Sequence, residues 1–434
     1  MKIVLIGGGS FVFAPTVLED ALVKHKLADG ELVLVDLNAE TAEAMAAAGR
    51  RIAKETGAGI QITSTTDRKS VLAGADYVIV SASPQGAKRW LVDYEILSKA
   101  GMADQARECG GLGGMLNTFR SNAMMLDICR DMEALCPNAI LLDVTNPMPR
   151  VVTLINKYTQ IKGFGFCSIA YRGAEGYEFL PYLLGKKREE VEIVTAGLNH
   201  FAWLVSIKEK ESGRDLMPDI LERVREGGRT GDSDDDLREL KVMKRWLGTY
   251  GAIAAGSVDH HAEYLPLQED IHYTTTAPYH GTEVERVHRM DEICRIGSGT
   301  LEWEKLFNHP SWEHPVDVAL ALSSKQDIRF DILNLPNTGC LPGIPDGRIV
   351  EVPVRMRNGE VQGIPVNGLS AEILELCRTL SDVHELVTEA GVKGDILLAE
   401  RAVELDPAIS NKEKAILVLH EMLQAHKDLL PQFQ

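Results

Sequence analysis

Short apolar runs rich in β-branched residues alternate with helical patterns along the first half of the chain. The helical patterns include two amphipathic segments, Ala39–Thr56 and 117–135. Alternation of strands and helices predicts a parallel sheet wrapped by helices, with ligands at the carboxyl ends of the strands. The runs that predict strands are 2–6, 31–36, 60–63, 75–81, 139–143 and 163–167.

The order of elements changes after residue 190. Segments 191–195 and 201–208 predict an antiparallel pair joined through 196–200, and 348–355 alternates like a further strand. We therefore expect an α/β fold with two domains, a parallel-sheet domain at 1–195 and an α+β domain at 196–434. Helical patterns in the second half cover 237–247, 282–296, 371–380, 382–390 and 412–423.

The first strand runs into a glycine-rich turn, GGGS at 7–10, which precedes a helical pattern. Adjacent glycines let the backbone approach a pyrophosphate, and a following helix directs unpaired N–H groups at that anion. The dinucleotide fingerprint is imperfect because Val12 stands at its usual third glycine, and an ordinary glycine turn is the alternative. Asp36 ends the second strand, where an acidic side chain binds the adenosine ribose of NAD. The first domain is therefore predicted to be Rossmann-like and to bind NAD.

Polar residues also follow the fourth and fifth predicted strands, as SASP at 81–84 and as DVTNP at 143–147. Parallel strands bring such residues to one edge of the sheet, where a cofactor lies. The cofactor contacts that we expect are Gly7, Gly9, Ser10, Phe11, Asp36, Ser81 and Asn146.

The net charge and the cysteine content limit the classes of binding partner and the cellular compartment that we expect. A net charge of −17 argues against nucleic acid or an anionic membrane surface as a partner. The 7 cysteines are scattered without a C-x-x-C pair, which is typical of reduced thiols in a cytoplasm. No apolar run reaches transmembrane length, and the first residues suit a core strand better than a signal peptide. We therefore expect a cytoplasmic protein that binds a small molecule.

A cysteine and a histidine form a candidate metal pair. Cys167 closes the sixth predicted strand, and His200 lies in the GLNH turn at 197–200. A thiolate and an imidazole can anchor a divalent transition ion and leave positions open for water or hydroxyl groups. A buried structural cysteine and a structural histidine are the alternatives.

A second candidate cluster lies in the segment GSVDHHAEYLP at 256–266. Asp259, His260, His261 and Glu263 are proton carriers in a stretch without a clear helical or strand period. Acid–base catalysis requires such groups at a pocket, and a solvated polar loop is the alternative. The glycine-rich run at 110–114 is a candidate lid or ligand cradle, with flexible linkage as the alternative.

Longer motifs make the whole chain resemble glycoside hydrolase family four, the NAD- and manganese-dependent glycosidases. The resemblance runs nearly from end to end and is specific in its combination of TNP, a strand-end cysteine and GLNH. The motifs are IGGGSFVFAP at 6–15, ECGGLGGMLNTFRS at 108–121, VTNPM at 144–148, GFC at 165–167, GLNH at 197–200, DHHAEYLP at 259–266, LPNTGCLPGIPDGRIVEVPV at 335–354 and AVELDPAIS at 402–410.

The resemblance implies hydrolysis through a transient oxidation rather than through two carboxylates. NAD+ would take a hydride from C3 of the sugar, a base would remove the C2 proton, and the aglycone would leave by elimination before water and the hydride return. Mn2+ or another divalent transition ion, held by Cys167 and His200, would polarise the C3 carbonyl as a Lewis acid. By the same resemblance, substrate contacts fall to Asn146, Arg120, Asn199 and Arg172.

Departures from the family pattern leave the general acid and base open. Ser168 follows the metal-binding cysteine, where many relatives carry histidine or aspartate, and a serine hydroxyl is a poor general acid. Val258 stands where some relatives have an aspartate. The residues that we consider for proton transfer are Tyr250, Asp259, His260 and Ser168.

The expected sugar follows from the positive charges near the fourth strand. Relatives that cleave 6-phospho-sugars carry an arginine shortly after this strand, and the stretch 81–86 has none. We therefore expect a neutral α-glycoside. Lys88, Arg89 and Arg172 leave open an acidic sugar, either a uronate or a sulfonated sugar resembling sulfoquinovose.

Two alternatives come from other functional classes. An NAD-dependent hydroxy-acid dehydrogenase shares the amino-terminal fold but uses a His–Asp pair and an arginine clamp without a metal. A nucleotide-binding protein without catalysis is the second alternative, favoured by Ser168 and Val258. We expect a homodimer or homotetramer in either case.

Overall fold

The computed structural model describes residues 1–167, 179–273, 283–308 and 313–434. Of the predicted site residues, Ser168 and Arg172 lie outside this part of the chain. The strands are β1 Lys2–Ile6, β2 Glu31–Val35, β3 Gln61–Thr65, β4 Tyr77–Val80, β5 Ile140–Asp143, β6 Gly163–Gly165, β7 Val191–Leu198, β8 Phe201–Glu209, β9 Ile328–Pro336, β10 Ile349–Arg357 and β11 Glu360–Gly363.

Helices connect these strands, and a π-helical turn at Glu19–Lys24 continues the first helix. No helix in the described part of the chain is long and apolar enough to cross a membrane. The helices are α1 Ala14–Leu18, α2 Ala39–Thr56, α3 Lys69–Leu72, α4 Gly86–Lys99, α5 Gly111–Leu135, α6 Met148–Tyr158, α7 Phe179–Leu183, α8 Met217–Glu226, α9 Asp234–Tyr250, α10 Val258–Ala262, α11 Glu283–Ser298, α12 Pro315–Ser323, α13 Ala371–Lys393, α14 Ile396–Leu405 and α15 Lys412–Ala425.

A single sheet contains all eleven strands, in the order β3-β2-β1-β4-β5-β6-β9-β10-β7-β8, with β11 paired to β10. The first six strands are parallel, and the nearly continuous apolar sequences of β1, β2, β4 and β5 match strands that helices cover on both faces. This confirms the predicted α/β class with an amino-terminal Rossmann-like sheet.

The parallel and antiparallel parts of the sheet meet at β6 and β9. Gly165 of β6 pairs with Asn334 of β9 in an antiparallel register, and β10 then joins β9 to the β7–β8 hairpin. The largest hydrophobic cluster also includes residues from both halves, among them Leu5 and Trp203. The sheet and the core therefore continue past residue 195, where we expect the first domain to end.

Three helical boundaries differ from the sequence-based expectation. Helix α5 begins at Gly111 rather than at 117, because the glycines of 110–114 are buried in its first turn. The patterns 371–380 and 382–390 form one helix, α13, which packs on α5 and α6. Helix α9 begins at Asp234, where Ser233 and Asp236 form a capping box.

Candidate active site

The glycine-rich turn lies at the carboxyl ends of β1 and β2. Gly7 has a φ of +91°, and a Cβ there would lie 2.0 Å from the carbonyl oxygen of Ser81, so only glycine fits. The backbone N–H of Gly9 donates to Asp36 Oδ2 over 3.1 Å, and that of Phe13 donates to Ser10 Oγ over 3.3 Å. The structure thus brings the predicted cofactor residues of the first two strands together, with Ser81 buried beside them.

Phe11 lies in the same turn, and its ring faces the start of α11. The guanidinium carbon of Arg286 lies 5.8 Å from the centre of the Phe11 ring. A cationic side chain from the second half of the chain therefore lies beside the predicted NAD turn.

Cys167 and His200 meet, as the sequence predicts. Cys167 Sγ lies 3.2 Å from His200 Nε2. His200 occupies the two-residue turn between β7 and β8 with a φ of +60°, a backbone conformation that residues other than glycine seldom adopt. Burial lowers the pKa of His200 well below its ordinary value, and the neighbouring His260 and His261 lower it further. The imidazole is therefore neutral at physiological pH and has a free electron pair for a metal ion.

The donors of this pair fit a divalent transition ion. Metal–sulfur and metal–nitrogen bonds are about 2.3 and 2.1 Å long, so a sulfur and a nitrogen 3.2 Å apart can share one ion. His200 Nδ1 is buried without a hydrogen-bond partner in the described residues, so Nδ1 can carry the proton while Nε2 binds the ion. Sulfur and imidazole donors together favour zinc or a similar transition ion over magnesium or calcium.

Three further ionisable side chains lie beside this pair. The ring centre of His260 lies 4.7 Å from that of His200, and His260 Nδ1 lies 3.4 Å from Glu263 Oε1. Donor atoms of Glu108, His260 and Glu263 lie within 4.8 Å of one another. The sequence pointed to His260 and Glu263 but not to Glu108, which precedes the glycine run and reaches the site only because α5 begins at Gly111.

Asn146 joins the same cluster from the end of β5. Its side-chain nitrogen donates to Glu108 Oε1 over 3.4 Å, and its Oδ1 is buried without a hydrogen-bond partner in the described chain. The predicted Asn146 and the unpredicted Glu108 thus share one edge of the site.

Backbone contacts fix the segment that carries His260 and Glu263. The carboxylate of Glu263 accepts hydrogen bonds from the backbone N–H groups of Cys109, over 2.6 Å, and Gly110, over 3.2 Å. The buried guanidinium of Arg107 donates to the carbonyl oxygens of Glu263 and Leu265 over 2.7 and 3.0 Å. The beginning of α5 and the α10 segment are therefore held together as one unit, which sequence patterns did not reveal.

Three predicted site residues have other partners. Asp259 forms an ion pair with Arg238, with N–O distances of 2.7 and 3.0 Å, which argues against a free catalytic base. Arg120 is buried against Asp93, with an N–O distance of 2.7 Å. The side-chain nitrogen of Asn199 donates to Glu351 over 2.8 Å in the interior, so Asn199 supports the His200 turn instead of facing a ligand.

Tyr250 lies at the end of α9, half-buried, with its ring 5.6 Å from the Trp203 ring. Burial raises the pKa of Tyr250 above its ordinary value. A phenol in this environment stays protonated at neutral pH, which argues against its acting as a base in the state described.

Family comparisons agree with this geometry. The Family 4 glycosyl hydrolase model matches residues 2–177, and the Family 4 glycosyl hydrolase C-terminal domain model matches residues 195–409. The chain belongs to glycosyl hydrolase family 4. Membership of family 4 makes the protein a glycoside hydrolase. This membership favours a glycoside hydrolase over a hydroxy-acid dehydrogenase or a non-catalytic nucleotide-binding protein.

Individual family 4 relatives match over nearly their full length. An α-galactosidase of Bacillus subtilis (strain 168) is 28% identical over 100% of both chains. An α-galacturonidase of Thermoanaerobacter italicus is 26% identical over 94% of this chain and 92% of its own. The crystal structure of a 6-phospho-α-glucosidase from gut microorganisms, in complex with NAD and glucose-6-phosphate, has a TM-score of 0.84 and 19% identity over 100% of this chain and 99% of its own. This last likeness establishes the shared fold.

Proposed function

We propose that the protein hydrolyses an α-glycoside by transient oxidation and elimination, with NAD and a divalent ion such as Mn2+. The observation that carries the proposal is the 3.2 Å contact between Cys167 Sγ and His200 Nε2, beside the carboxyl ends of the parallel strands. Relatives named α-galactosidase and α-glucosidase, and family structures in complex with NAD and Mn2+, support it. When bound, NAD supplies a reversible hydride acceptor and the ion supplies a Lewis acid.

Separate groups of residues bind NAD and the metal ion. Gly7, Gly9 and Asp36 bind NAD at the turn, with Ser10, Phe11, Ser81 and Asn146 as further cofactor contacts. Cys167 and His200 hold the ion. With the division into an NAD-binding domain at 1–195 and a substrate, metal and subunit domain at 196–434, Cys167 comes from the first domain and His200 from the second, so both would contribute to the metal pair.

Proton transfer falls to the cluster beside the metal pair. His260 lies next to His200 and within 3.4 Å of Glu263, where a proton can move between imidazole and carboxylate. Asn146 Oδ1, which has no hydrogen-bond partner in the described residues, presents an acceptor for sugar hydroxyl groups beside Glu108. Tyr250 and Ser168 are the other candidates for the acid and base.

A neutral sugar is the proposed substrate. Arg89 forms an ion pair with Asp428 at 2.9 Å, and Arg120 pairs with Asp93, so neither guanidinium is available for an acidic sugar. A uronate or sulfonated sugar is the second candidate, supported by an α-galacturonidase relative with nearly the same identity as the α-galactosidase. Lys88, which is exposed, and Arg172 are the cations that would serve it.

The test is hydrolysis of aryl α-glycosides in D2O with NAD+, Mn2+ and a mild reductant. We expect release of the aglycone and incorporation of deuterium at C2 of the sugar. Hydrolysis without NAD+, or without exchange at C2, would exclude the elimination route, and net accumulation of NADH would indicate a dehydrogenase. A parallel series of neutral, uronic, sulfonated and phosphorylated glycosides identifies the sugar.

We also infer that the enzyme works in the cytoplasm as a homodimer or homotetramer. The scattered reduced cysteines and the acidic charge support the compartment, and Cys294 is the exposed thiol in the described chain. Light scattering behind size-exclusion chromatography measures the subunit number, and a monomeric mass at working concentrations would refute the assembly.

A further inference from the structure

A cluster of three buried polar side chains lies directly behind the turn that carries His200. Asn199, Asn334 and Glu351 have 0%, 1% and 1% of their surface exposed. Glu351 Oε2 accepts hydrogen bonds from Asn199 Nδ2 over 2.8 Å and from Asn334 Nδ2 over 2.9 Å. One carboxylate oxygen thus joins two different chain segments.

One of those segments carries His200, and the other pairs with the strand that precedes Cys167. Asn199 immediately precedes His200 in the β7–β8 turn. Asn334 pairs across the sheet with Gly165, shortly before Cys167. The backbone repeats the connection, because Glu351 pairs with Gly197 on one side and with Asn334 on the other. Glu351 is therefore tied directly to the His200 segment and, through Asn334, to the strand that leads into Cys167.

The cluster destabilises the interior of the folded protein. Burial raises the pKa of Glu351 to about 7, and the two amides counteract this only in part. Oδ1 of Asn199, Oδ1 of Asn334 and Oε1 of Glu351 are buried without hydrogen-bond partners in the described residues. A buried polar group left unpaired destabilises the folded protein, so apolar side chains would stabilise this layer better.

The turn itself requires support. His200 has a φ of +60°, which is unfavourable for a residue with a side chain relative to ordinary helical or extended backbone. Such a conformation persists when neighbouring contacts over-determine it. The Asn199–Glu351 hydrogen bond is such a contact, and it acts one residue away from the ring that meets Cys167.

We propose that Glu351 is a positioning residue, which acts through Asn199 and Asn334 to set the separation and orientation of Cys167 and His200 for the metal ion. The proposal rests on the metal-binding role proposed above for that pair. Glu351 touches neither the ion nor the sugar, and its effect is expected on metal affinity and ligand geometry.

The test is titration of the protein with Co2+. A thiolate-to-cobalt charge-transfer band reports the cysteine ligand, and the visible ligand-field bands report the coordination geometry of the cobalt ion. Glu351→Leu removes the acceptor while filling its space, and we expect ~10- to 100-fold weaker Co2+ binding with altered visible bands. Glu351→Gln keeps a side-chain oxygen to accept from both amides, and we expect it to restore nearly native affinity and bands. Native binding by a folded Glu351→Leu variant would overturn the proposal, as would equal loss in both variants.

Two controls separate this proposal from a general loss of stability and from the proposed function. Asp93→Asn alters another buried carboxylate, which accepts from Arg120 and His426, and should destabilise the protein without moving the cobalt spectrum. Cys167→Ala should abolish the charge-transfer band, and a wild-type protein without this band would refute the metal pair itself. If Glu351→Leu does not fold, Asn334→Ser provides the test. Unchanged Co2+ affinity in the Asn334→Ser variant would contradict the proposal.

Discussion

At the scale of single residues, the raised pKa of the buried Glu351 carboxyl leads to a prediction of how folding stability depends on pH. The pKa of Glu351 is raised by burial to about 7 from an ordinary 4.5, so the folded protein binds a proton that the unfolded chain has already released. Glu351 should therefore contribute a loss of stability to the metal-free protein as the pH rises from 4.5 to 7, by an amount on the order of 3 kcal/mol, while buried neutral histidines such as His200 contribute in the opposite direction.

Urea unfolding in chelator at pH 5 and pH 7.5 measures this loss. Glu351→Gln has no proton to release, so between the two pH values the wild type should lose more stability, or gain less, than this variant. An identical difference in the wild type and the variant would show that the carboxyl titrates normally.

His260 and Asp259 are adjacent but should behave differently. His260→Ala removes the imidazole beside His200 and Glu263, and we expect kcat to fall about 10²- to 10⁴-fold, the usual contribution of an acid or base. Asp259→Asn breaks the ion pair with Arg238 and should lower stability by about 1.5–3 kcal/mol while largely preserving kcat. Steady-state kinetics and urea unfolding of the matched pair check this, and a large fall in kcat for Asp259→Asn would restore Asp259 as a base.

At the scale of elements, the start of α5 is fixed by a close approach of two backbones. A Cβ at Gly110 would lie 1.9 Å from the carbonyl oxygen of Glu263, which is backbone and has little room to move. Gly110→Ala should therefore push α5 away from the α10 segment and cost about 1–3 kcal/mol, with loss of activity.

Gly248 is the matched control for this substitution. It lies inside α9, and a Cβ there would meet no atom within 4 Å. Gly248→Ala should raise the free energy of unfolding by about 0.5–1 kcal/mol, because alanine is the better helix former. Unfolding curves of both variants make the comparison, and equal stability of the two would contradict the close approach at Gly110.

The same elements show what sequence could predict and what it could not. Periodicity located β1 and α2 at their observed bounds, because strand and helix periods depend on neighbouring residues alone. The glycine run 110–114 was ambiguous, because glycine suits loops as well as close helix contacts, and burial against Glu263 decides between them.

Within the site, the sequence indicated residues whose chemistry is local and did not reveal partners from distant elements. The contact between Cys167 and His200 could be predicted from a strand end and a tight turn, with help from the family resemblance. Arg120 and Asn199 were assigned to substrate because their partners, Asp93 and Glu351, come from elements that only the fold brings near. Glu351 itself sits in an alternating strand pattern that gives no sign of its role.

At the scale of the whole molecule, one sheet and one main core cross the boundary between the two expected domains. Helix α13 also returns from the carboxyl-terminal half to pack on α5 and α6. We therefore expect a single cooperative unfolding transition, because neither half can lose its structure without exposing the other's buried surface. Differential scanning calorimetry of the metal-free protein tests this, and two separate transitions would show that the halves unfold independently.

The pairing of Gly165 with Asn334 limits how this enzyme can be recombined with its relatives. A strand edge accepts a partner only in a matching direction and register. A chimaera joined near residue 195 would have to pair β6 from one parent with β9 from another, beside the metal pair. Transplanting the sugar preference of one family member into another therefore requires moving β6, β9 and β10 as a block, and chimaeras that divide this block should assemble poorly whatever their loops contain.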